Sequence, residues 1–200
     1  MASATKRKVA AVCGDGRLRV IEQDVPELKR GTILVNVHAS LLSPGTEFNG
    51  WRGLAEKRKN PDASAAPRPF GYSNAGTVRK LSEGVTEFKL GDRVACVGAG
   101  YALHTDCAVV PHHLCVALPD KVTFAQGAYA MLAATAMHTL RRGEPEFGES
   151  VCVLGLGLVG QLTGQLYKLA GNYVIGWDRT ERRLQIAKKW GIDGTVPAGA

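Results

Sequence analysis

The feature that most restricts the fold is the string Gly155-Leu-Gly157-Leu-Val-Gly160, which follows the unbroken apolar run Val151-Cys-Val-Leu154 and leads into a helical stretch ending near Ala170. A GxGxxG string alone is weak, because glycines recur by chance. Its setting here is specific. A buried-type strand runs into it, a helix opens from it, a second strand follows over Tyr173 to Trp177, and Asp178 stands at that strand's end. That is about the spacing expected of a carboxylate that accepts from a ribose. Gly155 permits the tight turn, Gly157 lets the backbone approach a pyrophosphate, and Gly160 lets helix and strand pack closely. At the helix start, around Leu158 and Val159, free N–H donors and the positive end of the helix dipole suit anionic phosphates. A charged helix from about Thr180 to Trp190 and a third strand near Thr195-Val-Pro continue the pattern, which opens a parallel doubly wound α/β sheet.

Asp178 has two readings, as the ribose ligand or as a cap on the charged helix behind it. Arg179 and Arg183 either reach the adenosine end of a cofactor or are solvated. The carboxylate favours NAD, and the arginine directly after it keeps NADP open.

Ahead of this unit the chain reads as β-rich. Short runs at Val9 to Val12, Arg17 to Ile21, Thr32 to Ala39, Gly76 to Lys80, Arg93 to Val97, Thr105 to Val110 and Leu114 to Ala117 are separated by turn residues. They describe a compact barrel-like domain over residues 1–122. An irregular stretch from about Asn49 to Phe70 interrupts it and reads as a functional or mobile loop. Residues 123–147 hold a helix from Ala125 to Leu140, capped by Thr123, and a linker with Gly143, Pro145 and Gly148; residues 148–200 begin the nucleotide domain.

Composition excludes several classes. The net charge is +7, but the basic residues are dispersed and not interleaved with aromatics, so no nucleic-acid partner is expected. No apolar run is long enough to span a membrane, and the start Met1-Ala-Ser-Ala-Thr-Lys-Arg-Lys lacks a signal peptide's apolar core, so a cytoplasmic protein without membrane association is expected. The 5 cysteines have no CxxC spacing and read as buried thiols, neither a disulfide framework nor a structural zinc lobe.

The order of parts resembles the medium-chain dehydrogenase/reductase superfamily of the zinc alcohol dehydrogenase type, with its GroES-like N-terminal domain. The similarity covers essentially the whole chain. It rests on Val35 to Glu47, Gly71 to Val78, Gly91-Asp-Arg-Val94, Gly100-Tyr-Ala102 with Val109-Val-Pro111, the Ala133-Ala-Thr135-Ala helix, and the glycine loop. The resemblance implies a GroES-like barrel followed by a Rossmann sheet, and hydride transfer between a nicotinamide and a small-molecule alcohol or carbonyl. Thr135 falls where the family contacts the nicotinamide region, Glu47 where a turn-anchoring acid stands, and Thr46 where a hydroxyl relays a proton.

The metal ligands depart from that pattern. Ser43 with Pro-Gly-Thr46 stands where zinc members have a cysteine ahead of Gly-Thr-Asp, Gly71-Tyr72-Ser73 replaces Gly-His-Glu, and Met131 replaces a further cysteine. A hydroxyl, a phenol and a thioether are poor donors to zinc. The expectation is therefore an enzyme that holds no metal and in which Thr46, Tyr72 and Ser43 supply the donors to a developing oxyanion. The Ser-x-Gly-Thr-Glu pattern with Trp51 is most similar to the branch that includes bacteriochlorophyllide hydroxyethyl dehydrogenases. An NADPH-dependent quinone or enoyl reductase and a non-catalytic dinucleotide-binding protein remain alternatives. Homodimers are usual in the family, so a homodimer is the assembly the resemblance allows. A full nucleotide domain has six strands. Two or three fit before Ala200, so either the functional chain is longer or its cofactor site is completed otherwise.

Overall fold

The computed structural model describes residues 6–47 and 51–199, and of Trp51 and Arg52 the backbone only. The first five residues, read above for a leader, and Asn49, where the irregular stretch begins, lie outside that set. The chain forms two compact units, residues 1–131 and residues 132–200. The segment 123–147 is divided between them.

The first unit opens with β1 (Lys6–Val12) and β2 (Leu18–Asp24), a hairpin turned at Gly16, whose φ of +70° favours glycine. Then come β3 (Thr32–Ser40), α1 (Pro44–Glu47), α2 (Trp51–Lys59), β4 (Arg68–Pro69), β5 (Ser73–Leu81), β6 (Arg93–Val97), β7 (Cys107–Pro111), β8 (Cys115–Ala117) and α3 (Phe124–Gly127). Five strands form one antiparallel sheet in the order β7-β3-β5-β6-β8, and β2-β1-β4 form another. Alternate residues point inward, as the pleat requires: Ile33 and Val35, Val94 and Cys96, and Ala108 and Val110 share one buried core. The sheets are stitched by the Ala10 N–H donating to the His104 carbonyl at 2.9 Å and the His104 N–H donating to the Phe70 carbonyl at 3.1 Å. Gly76 is required where β3 and β5 meet, since a Cβ there would lie 2.0 Å from the Asn36 carbonyl oxygen.

Two elements differ from the sequence reading. The stretch read as irregular contains α2, which among its described side chains buries only Leu54 and is held by Arg58 Nε donating to the Gly16 carbonyl at 3.2 Å. One buried leucine among lysines and arginines leaves no helical periodicity to read. The helix expected from Ala125 to Leu140 is two helices, α3 and α4 (Ala130–Gly143). Thr123 and Gln126 close a capping box at the start of α3. At the break between the helices, the buried Ser73 hydroxyl donates to the Ala128 carbonyl at 2.7 Å and accepts from the Met131 N–H at 3.4 Å. A side chain 55 residues away thus satisfies peptide groups that the helix would otherwise pair internally.

Most of α4 belongs to the second unit, which continues with β9 (Ser150–Leu154), α5 (Leu158–Leu169), β10 (Tyr173–Asp178), α6 (Glu181–Lys189) and β11 (Gly194–Pro197). The strands are parallel in the order β11-β10-β9. Val153, Leu156, Tyr167, Val174, Leu184 and Ile192 form the core beneath α5 and α6. The run read as a buried strand is covered on alternate residues only: Val153 is buried, while Leu154 is 71% exposed and Cys152 is exposed. The pleat sends these to the opposite face from the helices. All 5 cysteines are free thiols; Cys152 is exposed and Cys115 half-buried, so the expectation of buried thiols holds for Cys13, Cys96 and Cys107. Among the described residues no helix is long and apolar enough to cross a membrane.

Candidate functional site

In the second unit the glycine string forms the turn from β9 into α5. Gly155 has φ +89° and donates its N–H to the Trp177 carbonyl at 2.7 Å, which fixes the loop to the end of β10. Gly157 is the N-cap of α5, and a Cβ there would meet nothing within 4 Å, so its outer side is open. Gly160 is the reverse case, because a Cβ would stand 1.8 Å from the Gly155 carbonyl oxygen. Leu158 and Val159 occupy the first turn of α5, where N–H groups have no intrahelical acceptor.

Asp178 is the anchor of this loop. One carboxylate oxygen accepts from the Leu156 N–H and the other from the Thr180 N–H, both at 2.7 Å. These two backbone donors, Thr180 first, hold its pKa down at about 2, with help from the Arg183 guanidinium at 3.4 Å. The side chain is only 5% exposed. Asp178 thus bonds the backbone two residues ahead, next to α6, whose N-cap is Thr180, and it also bonds across to the glycine loop, which the sequence did not suggest. Arg179 and Arg183 are both exposed at the start of α6. Gln161 was missed: its amide donates to the Arg183 carbonyl at 2.8 Å and the Leu156 carbonyl at 3.3 Å, tying the loop to α6. Its only signal was a polar residue close behind the glycine string, in the first turn of the helix. Thr135 is exposed on α4 of this unit.

In the first unit, the segments that carry Ser43, Tyr72 and Met131 are brought together around Ser73. The Leu41 N–H donates to the Ser73 carbonyl at 3.0 Å, and the Ser73 hydroxyl receives the Met131 N–H. Ser43 is buried and starts α1: its carbonyl accepts from the Glu47 N–H at 2.9 Å, and its own N–H donates to the Glu47 carboxylate at 2.8 Å. Thr46, within that turn, is exposed, and Tyr72 is half-buried.

Glu47 has a second role that sequence reasoning did not find. Its other carboxylate oxygen lies 2.9 Å from His104 Nε2, and His104 Nδ1 lies 2.9 Å from the Ser40 hydroxyl. A carboxylate only accepts, so Nε2 carries a proton, and Nδ1 pairs with the Ser40 hydroxyl. Glu47 is 4% exposed and His104 10%, while Ser40 is exposed. The chain of hydrogen bonds thus runs from a buried carboxylate, one residue from Thr46, to the surface. Phe70 packs edge-on against the imidazole at 5.1 Å. Among the described residues no three His, Cys, Asp or Glu side chains converge as a metal site.

Comparison with known proteins agrees with this architecture. The alcohol dehydrogenase GroES-like domain family matches residues 29–142. Sorbitol dehydrogenase of Mus musculus is 31% identical over 94% of this chain and 59% of its own length. A quinone oxidoreductase from Coxiella burnetii superposes with a TM-score of 0.80 at 25% identity, over 96% of this chain and 62% of that one. A short chain alcohol dehydrogenase from E. coli, complexed with cofactor NADH, shares the fold at 21% identity, with a TM-score of 0.83 over 98% of this chain and 64% of that one. The chain spans about three fifths of the length of the relatives it matches.

Proposed function

Because the chain belongs to the alcohol dehydrogenase GroES-like domain family, within the medium-chain dehydrogenase/reductases, we propose that it acts in an NAD-preferring oxidoreductase that works without zinc. The observation that carries this reading is the pairing of a glycine loop built for a pyrophosphate with a substrate unit whose metal-ligand positions hold Ser43, Tyr72 and Met131. The relatives named for a polyol and a quinone both support an oxidoreductase, and the Escherichia coli neighbour bound to NADH supports a nicotinamide cofactor.

In this reading the N–H groups around Gly157, Leu158 and Val159 hold the pyrophosphate, and Asp178 accepts from the adenosine ribose through the lone pairs its two backbone donors leave free. Arg179 and Arg183 flank the adenosine end, and Thr135 faces the nicotinamide. The bound cofactor supplies or takes the hydride. The donor set of the substrate unit does not fit zinc, which takes thiolate, imidazole and carboxylate. Instead, the exposed Thr46 hydroxyl and the Tyr72 phenol hydrogen-bond the substrate oxygen as its charge changes, with Ser43 positioning the turn. His104 holds a proton between Glu47 and the exposed Ser40 hydroxyl, a route by which a proton released beside Thr46 reaches solvent. The substrate is a small alcohol or carbonyl compound. The quinone oxidoreductase neighbour supports a second reading, reduction of a conjugated carbonyl, which uses the same hydroxyls.

Thr46→Val and Tyr72→Phe are each expected to lower turnover on the order of a hundredfold, the usual cost of losing one preorganised donor. Dinucleotide affinity should be nearly unchanged, because both residues belong to the first unit. Steady-state kinetics on alcohol, ketone and quinone panels, with a nucleotide titration alongside, measures both. Turnover at the original rate in both variants overturns the assigned roles.

A further inference from the structure

Cys96 in β6 and Cys115 in β8 are register partners across an antiparallel pair, and their sulfur atoms stand 3.6 Å apart. The phase of the ladder decides how close their backbones come. The Leu118 N–H donates to the Arg93 carbonyl at 2.8 Å, and this pair continues the register in which Val94 faces Ala117. Arg93 and Leu118 are therefore a hydrogen-bonded pair, and strict alternation makes Cys96 and Cys115 a non-hydrogen-bonded one. Facing residues approach most closely in such pairs, with Cα atoms about 4.5 Å apart, inside the range of about 4.4 to 6.8 Å that a disulfide spans. Joining the sulfurs then needs side-chain rotation and little movement of the strands.

We propose that Cys96 and Cys115 form an oxidation site, at which a peroxide converts the two facing thiols into an intramolecular disulfide. The two cysteines differ in access, and this sets the order of events. Cys96 is completely buried, whereas Cys115 is half-buried. The contact with the Cys115 sulfur, which holds the Cys96 proton, and burial in the core both push the Cys96 thiol up, so the first attack falls to Cys115. Its thiolate attacks one peroxide oxygen and breaks the O–O bond, giving a sulfenic acid and hydroxide. The Cys96 sulfur then attacks the Cys115 sulfur and displaces that oxygen, which leaves as water with the Cys96 proton. Two thiols and one hydrogen peroxide thus become one disulfide and two waters, with two electrons passing from sulfur to oxygen. A small oxidant suits a half-buried sulfur. The bond ties the edge strand β8 to β6, ahead of the turn into α3.

The experiment treats the folded chain with hydrogen peroxide, alkylates the remaining thiols under denaturing conditions, and digests without reductant. The expected product is one cross-linked peptide pair joining Cys96 to Cys115, two hydrogens lighter than its parts and reversed by a thiol reductant. Exposed Cys152 is oxidised as well, without this partner. The thermal midpoint of the oxidised chain should rise on the order of 10 °C, because the cross-link encloses about 20 residues and restricts the unfolded chain. In Cys96→Ser, the sulfenic acid on Cys115 should persist and be trapped by a sulfenate-specific probe. Cys96 and Cys115 both remaining alkylatable after Cys152 has been consumed, or Cys115 linking to another cysteine, overturns the proposal.

Discussion

Gly160→Ala should abolish measurable dinucleotide binding and destabilise the second unit. The added Cβ would stand 1.8 Å from the Gly155 carbonyl oxygen, a backbone atom that no side-chain rotation can move aside. Gly155 cannot yield either, since its φ of +89° and its 2.7 Å bond to the Trp177 carbonyl fix it to β10. The loop must shift away from the start of α5, and the N–H groups that would hold a pyrophosphate shift with it. Overpacking of this kind typically costs about 1 to 3 kcal/mol, and the loss of an aligned anion site should lower affinity at least about a hundredfold. Gly157→Ala is the informative contrast. Nothing lies within 4 Å of the added Cβ, so that variant should be as stable as the original while its methyl obstructs the phosphates. Denaturant unfolding and a fluorescence titration with NADH separate the two effects. A Gly160→Ala chain that binds NADH as tightly as the original would show that the loop is only a turn.

The second large effect is expected at Asp178. Asp178→Asn keeps the shape but sets an amide where the Leu156 and Thr180 N–H groups need an acceptor on each oxygen. One of them must lose its partner in a buried site. The variant should therefore loosen the glycine loop and weaken NAD about tenfold to a hundredfold, while NADP is spared because charge repulsion against the 2′-phosphate is gone. Acid should reproduce part of this effect in the original chain. The carboxyl titrates near 2 in the folded chain and at its ordinary 3.8 when unfolded, so its contribution to stability is fully present above about pH 4. That contribution is lost as pH falls from there through about 2, as the proton binds the unfolded state first. Asp178→Asn should flatten this segment of the stability-against-pH curve, measured by denaturant unfolding from pH 5 to 2. An unchanged curve, or undiminished NAD affinity, would remove Asp178 from both roles.

The glycine loop was legible because each of its constraints is local. Gly155, Gly160 and Asp178 stand at fixed offsets within one βαβ unit, and the backbone demands that select them act over a few residues. The β-rich first half was legible for the same reason, through alternation in runs such as Thr32 to Ala39 and Arg93 to Val97. What escaped was long-range. Ser73 breaks the helix after Gly127 from far back in the sequence, and Glu47 finds His104 at a separation of 57 residues. Neither bond has a spacing rule. His104 carried no legible role, since a lone histidine in a strand-like context gives no signal of its partner. The carboxylate of Asp178 shows the limit even for local motifs: its position was readable, but its bond to Leu156 was not.

The proposed hydride transfer without a metal is tested most directly by one paired measurement. The chain is purified without chelator, its zinc is determined by elemental analysis, and NADH-linked turnover of a reactive alcohol or quinone is followed before and after exhaustive chelation. With Ser43, Tyr72 and Met131 at the ligand positions, zinc well below one per chain and an unchanged turnover are expected. Stoichiometric zinc whose removal abolishes turnover would contradict the account.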